Sequence, residues 1–190
     1  MRMALLLILT LALTSCAKKP DAAESSNSPE ASAAAIVSAF YRQLATTTVS
    51  GAPDAAQLKA IALYLSQELQ TELRQARELH DKEATAAPTE KPAFADGDLF
   101  SSLFEGPTAF EVESETRNGD STWVKVRFHY DKSAEKTEWT DNVLVTLENN
   151  RYVISDIEYQ GSWEFSNQDS LLSLLKRSHA PAPAGTPTTP

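Results

Sequence analysis

Residues 109–130 read AFEVESETRNGDSTWVKVRFHY, and the rest of the chain is best understood from them outward. Val124, Val126, Phe128 and Tyr130 alternate with Trp123, Lys125, Arg127 and His129, giving one apolar face and one largely wet face. A period of two with a single greasy side is the mark of an antiparallel strand covered on one face. Residues 109–116 form a strand-like run of their own, and Asn118-Gly119 between the two runs is a strong hairpin signal. Further on, residues 131–137 are a polar loop, and Val143, Val145 and Leu147 mark a third strand. Asn149-Asn150 is a second tight turn, and residues 152–159 are a fourth strand. The spacing therefore predicts a four-stranded meander.

Upstream of the meander the period changes to that of a helix. Ile36, Phe40 and Leu44, with Val37 and Tyr41 beside them, predict a first helix over residues 31–46. Gly51-Ala52-Pro53 breaks it, and Asp54 can cap a second segment carrying Leu58, Ile61 and Leu65. Ser66 can cap a third with a Leu69, Leu73, Ala76 and Leu79 stripe and a Glu78–Lys82 pair at i,i+4. Pro88 and Pro92 close the helical half. After the meander, Ser166-x-x-Asp169 has the form of a capping box before Leu171, Leu172, Leu174 and Leu175, with Lys176 and Arg177 at the favourable end. Helices, then an antiparallel meander, then one closing helix make a two-layer α+β domain.

Composition narrows the function classes. The chain has 190 residues, 42% of them hydrophobic and 23% charged, enough apolar matter for one core of ordinary size. Acidic residues outnumber basic ones 26 to 17, for a net charge of −9, and no Lys/Arg block offsets them; a nucleic-acid partner is thereby excluded. One cysteine excludes an internal disulfide and a thiolate metal site. The three histidines, His80, His129 and His179, are scattered, with no metal-ligand spacing among them, and no Gly-rich phosphate loop occurs. The expectation is accordingly no metal and no cofactor.

The front of the chain carries an address. Residues 4–13 are apolar except for Thr10, too short a run for a bilayer span of about 20 residues but right for the h-region of a signal peptide. Leu13-Thr14-Ser15-Cys16 follows, and it resembles the bacterial lipobox. The resemblance implies cleavage between Ser15 and Cys16, a diacylglyceryl group on the Cys16 sulfur and acylation of the new amino terminus with a palmitate-like chain. Two or more acyl chains hold a protein stably on a membrane. Ala17 in place of the aspartate that retains lipoproteins at the inner membrane points to the outer membrane, with the domain facing the periplasm. The predicted organisation is a signal peptide over 1–15, lipidated Cys16 and a tether over 16–30, one α+β domain over 31–178, and a Pro-rich tail over 179–190 with Pro181, Pro183, Pro187 and Pro190. The tether reaches about 45–50 Å when extended.

Several short patterns coincide along the domain: Phe40-Tyr41; Tyr64-Leu65-Ser66 with Leu69; Asp98-x-Phe100-Ser101-Ser102; Trp139-x-Asp141-x-Val143; and Tyr152-Val153-Ile154-x-Asp156-Ile157-x-Tyr159-x-Gly161. With the lipobox, their order and spacing resemble the YbjP-type family of bacterial envelope lipoproteins, whose core is a domain of unknown function. The resemblance implies a nuclear-transport-factor-2-like cone, a curved sheet wrapped around helices with a cavity at its open end. Such folds serve enzymes and pure binding subunits alike, so the fold does not choose between them.

Within that frame a few side chains stand out. Asp156 would share a face with Tyr152 and Ile154 if the alternation held, opposite Val153, Ile157 and Tyr159; lining the cavity, it would be a general base of raised pKa. Its alternative is a structural acceptor for Arg127 or for strand-end amides. Asp98, after Gly97, reads as the cap of a short turn or as a pocket carboxylate, with Phe94, Phe100 and Phe104 plugging the core behind it. His129 reads as a solvated strand histidine. Trp123, Trp139, Tyr159, Trp163 and Phe165 gather about the sheet; Trp139 and Trp163, at strand ends, are candidates for a binding rim. Three functions remain open. One is a tethered, non-enzymatic accessory module of an envelope protein assembly. Another is a small-ligand receptor or isomerase-like enzyme working through Asp156, and the third is a periplasmic immunity-type protein.

Overall fold

The protein is described by a computed structural model covering residues 32–132, 136–163 and 166–179. Ser15, Cys16, the tether, Phe165 and the Pro-rich tail beyond His179 lie outside the described residues. The chain builds helix α1 (Ala33–Thr47), α2 (Ala55–Ile61) with a 3-10 turn at Ala62–Tyr64, and α3 (Gln67–Ala86). Strands β1 (Ala109–Asn118), β2 (Ser121–Tyr130), β3 (Thr137–Glu148) and β4 (Arg151–Glu158) follow, and α4 (Leu171–His179) closes the fold. The sheet is an antiparallel meander in the order β1-β2-β3-β4. It is the α+β architecture that the periodicity predicts. Helix α1 packs on β1, β2 and β4, while α4 packs on α3 and β4.

Local chemistry explains the element ends. The Asp54 carboxylate accepts from the Ala56 and Gln57 amides while Gln57 returns a bond to the Asp54 amide, a reciprocal cap for a helix too short to hold itself. Ser66 caps α3 through the Leu69 amide, and its own N–H donates to Ile154 O, tying the helix start to β4. Asn149 and Asn150 both take left-handed backbone (φ 49° and 65°), as a two-residue turn between right-twisted strands requires. The first hairpin turns one residue later than its sequence suggests: Asn118 pairs with Ser121, and Gly119 takes φ +61° at the first loop position. On α3 the i,i+4 ion pair is Arg77–Asp81 at 2.8 Å.

Val124, Val126 and Phe128 are fully buried against Val37, Phe40 and Tyr41 of α1, whereas Lys125 and Arg127 on the other face are exposed. Val143 and Val145 of the third strand are buried, whereas Leu147, at the hairpin end of β3, is 53% exposed. Each edge strand carries one bulge, Glu113 in β1 and Ser155 in β4. A bulge bends its strand and reverses the faces beyond it. In β4 this leaves Ile154 and Ile157 both in the core.

The α4 start differs from the expected capping box. Asp169 takes left-handed backbone (φ 64°) and lies outside the helix, its carboxylate paired with Arg177 at 2.8 Å. Ser170 is the residue that accepts from the Ser173 amide, and α4 continues through His179, one residue past the predicted domain end.

Candidate functional site

The chemistry-bearing motifs converge on one irregular segment, residues 98–102. A buried loop must find partners for its backbone, since no ladder supplies them. Here each carbonyl has a tertiary donor. Asn167 Nδ2 donates to Asp98 O (3.1 Å) and Ser101 O (2.8 Å), and the Asn167 amide to Ser102 O (3.0 Å). The Tyr159 hydroxyl donates to Leu99 O (2.6 Å) and the Tyr41 hydroxyl to Phe100 O (2.9 Å). Burial, reinforced by the nearby Asp98 and Asp141 charges, pushes both phenols well above their ordinary pKa, so both remain donors at neutral pH.

Asp141 is the acceptor at the centre. It has no exposed surface, and its carboxylate receives the Ser102 amide (2.8 Å), the Gln160 amide (2.8 Å), the Trp139 indole N–H (3.1 Å) and the Ser102 hydroxyl. Burial pushes this carboxyl above the usual range against the pull of those four donors. The Ser102 Oγ in turn accepts from the Gly161 amide at 2.9 Å. Gly161 is needed for that approach: a Cβ there would lie 2.7 Å from the Ser102 Cβ and 2.9 Å from the Trp163 ring. Asp141 and Ser102 stand in the motifs, but no local pattern marks their meeting across 39 residues.

The expected binding rim is largely core. Trp139 and Tyr159 are each only 6% exposed. Trp139 stacks on Phe128 with centroids 5.4 Å apart and meets Trp163 edge-on at 5.7 Å, so only half-buried Trp163 touches the surface there. Trp123 sits half-buried on the outer face of the sheet. His129, also half-buried, lies 3.1 Å from Glu138.

Asp156 is a structural acceptor and lines neither of the two described cavities. The Ser155 bulge turns it away from Tyr152 and Ile154, opposite Leu144, and its Oδ1 accepts the Ile157 amide (2.8 Å) and the Leu172 amide (2.9 Å). It thus holds the N-terminus of α4, where a negative charge is favoured. Arg127 is engaged elsewhere, with Glu113.

Asp98 does line a cavity. Its Oδ1 accepts the Phe100 amide (2.9 Å) and its Oδ2 the Ser101 hydroxyl (2.6 Å), the capping role expected of it. Burial raises its pKa from 3.8 to about 6, against the pull of those two bonds. The cavity, about 580 Å³, lies between the C-terminal half of α1 and the loops leading into β1. Tyr41, Leu44, Val49, Phe104 and Phe110 make its walls, with Asp96, Glu105 and Lys132 among its polar groups. Phe104, expected in the core, is 47% exposed on this wall, with Lys91 Nζ 5.9 Å from its ring centroid. Nothing in the sequence pattern marks Phe104 and Phe110 as cavity residues, since both have the spacing of core aromatics.

Among the described residues no group of three His, Cys, Asp or Glu side chains is placed to hold a metal ion, and no helix is long and apolar enough to cross a membrane. No protein-family model and no curated protein matches the chain. A solved structure of a protein of unknown function from Bacteroides thetaiotaomicron is similar at 20% identity, over 67% of this chain and 89% of that one, with a TM-score of 0.36.

Proposed function

We propose that this chain is a lipid-anchored lipoprotein of the bacterial cell envelope, of the YbjP type, facing the periplasm from the outer membrane. In this reading its domain is a non-enzymatic binding or accessory module for an envelope protein assembly. The observation that carries the reading is the closed network at residues 98–102. Asp141, Tyr41, Tyr159 and Ser102, the polar side chains of that network, are each engaged in holding the scaffold. Asp156 is likewise engaged at the start of α4. The short apolar leader ending at Cys16 supports the anchor. Helix α1 begins at Ala33, and the residues between it and Cys16 would serve as a leash; tethering raises the effective concentration of the domain near a membrane partner. The test is metabolic: labelled palmitate should enter the protein, globomycin should leave the uncut precursor, and Cys16→Ser should abolish both effects. Unlabelled protein of unchanged size under globomycin would overturn the anchor. Photo-crosslinkers on the domain surface should then trap a discrete envelope partner; monomer alone argues against the accessory role.

The cavity beside α1 supports a second reading, a small-ligand receptor, with Asp98 and not Asp156 as its carboxylate. At about 580 Å³ it falls within the range of small-molecule sites.

A further inference from the structure

We propose that this cavity takes a small organic cation with an aromatic or branched apolar body, its ammonium group against Asp98 and its body against Phe104, Phe110 and Leu44. The inference rests on the receptor reading and adds the chemical class of the ligand. Three observations carry it.

The first is charge. Asp98 is held by an amide and a hydroxyl, both neutral, and among the described residues no lysine, arginine or histidine nitrogen lies within 4.0 Å of its carboxylate. A desolvated carboxylate without a counter-charge is costly, and a ligand cation relieves that cost. Asp141 and the two buried phenols behind it supply no positive charge. Around the walls Asp96 and Glu105 add negative charge; Asp96 is already paired with Lys91 at 2.7 Å, and among the described residues of the lining Lys132 is the one cation. An anionic ligand therefore meets a net excess of its own sign.

The second is the aromatic lining. Phe104, Phe110 and Tyr41 line the cavity, and an ammonium within about 6 Å of such a ring gains about 0.5–2 kcal/mol beyond its ion pair. Because the Tyr41 hydroxyl is committed to Phe100 O, Tyr41 offers the ligand its ring and not its oxygen. The third is access. Gly106 lies against Asp98 so closely that a Cβ there would stand 3.3 Å from the Asp98 Cβ and 3.4 Å from Oδ2. With glycine at that position no side chain intervenes on that flank of the carboxylate.

The probes are phenethylammonium, neutral 2-phenylethanol and anionic 3-phenylpropanoate, titrated calorimetrically into the full lipidated chain in detergent, with empty micelles as the blank. At pH 7.5 phenethylammonium should bind at least roughly 10-fold tighter than the alcohol, in line with one charge-assisted bond, and the carboxylate should not bind. At pH 6 the amine should release up to about half a proton per site, read from the buffer dependence of the enthalpy, because the ion pair draws Asp98 to its charged form. Asp98→Asn should bring the amine to the level of the alcohol, with alcohol binding retained as proof of a folded cavity. Ala45→Trp, which fills the mouth from the exposed side of α1 without touching the Asp98 bonds, should remove both. Equal binding of amine and alcohol, or an Asp98→Asn variant that keeps amine affinity, overturns the cationic ligand while leaving a cavity that binds. No binding of any probe overturns the receptor reading as well.

Discussion

A carboxylate accepts about four hydrogen bonds, and at Asp141 all four positions are filled by donors from three separate parts of the chain. That makes the residue a joint between β3, the 98–102 loop and the segment after β4. Replacing it by alanine strands at least three buried N–H groups, each costing about 1–3 kcal/mol when unpaired, so Asp141→Ala should lose roughly 3–5 kcal/mol. Asparagine keeps the shape but turns one acceptor into a donor that faces other donors, and Asp141→Asn should lose about 2–3 kcal/mol. Ser102→Ala should fall below both, since the Ser102 amide keeps its bond to Asp141. Urea midpoints at unchanged m-value measure the series; an Asp141→Ala protein as stable as the parent would remove the joint from the argument.

The same logic applies one level up, where Asp156 fastens α4 to the edge of the sheet. Leu171 and Leu175 bury the helix against α3 and β4, but its first amides depend on Ser170 and Asp156. Asp156→Ala should cost about 1 kcal/mol, and hydrogen exchange at Leu172 and Ser173 should speed up while the β2–β3 core stays protected. Unchanged exchange there would mean that packing alone sets the helix. The elements that could be read from the sequence are those with local causes: the β2 alternation, the Asp54 and Ser66 caps, and the paired asparagines at 149 and 150. What could not be read depends on distant partners. A bulge at Ser155 leaves no mark in composition, yet it moves Asp156 from the expected pocket face to the α4 start. The Tyr41 and Tyr159 hydroxyls find their carbonyls 59 and 60 residues away. Trp139 has a strand-end position in sequence, but Phe128 and Trp163 close over it. The candidate site was legible only as the single residue Asp98, because the aromatics around it look like core.

On the scale of the whole molecule, these buried carboxylates set the pH at which the fold is most secure. Unfolded, Asp98 titrates near 3.8; folded, near 6. Well below pH 3.8 it is protonated in both states. Between pH 4 and 6 the unfolded chain gives up its proton first, so stability falls as pH rises, and above 6 the loss is constant. Asp141 acts in the same direction. Glu113 opposes them: the Lys125 hydrogen bond, then the Arg127 charge, hold it below its ordinary 4.5, and that support disappears only as pH drops through the acid range. A net charge of −9 adds self-repulsion toward high pH. The optimum should therefore lie near pH 4.5–5.5. From pH 5 to pH 7.5 the Asp98 shift alone should remove about 1–2 kcal/mol, roughly 3–6 °C in Tm for a domain of this size. Scanning calorimetry at pH 5 and 7.5 checks the sign, and two controls separate the causes. Added salt at 0.5 M on the order of a 4 Å screening length should shrink the part due to net charge and leave the part due to Asp98. Asp98→Asn should do the reverse, flattening the slope at low salt. A Tm at pH 7.5 equal to or above that at pH 5 would show that the Asp98 carboxylate already has its compensation in the unliganded fold, which would also take away the reason for a cation in the cavity.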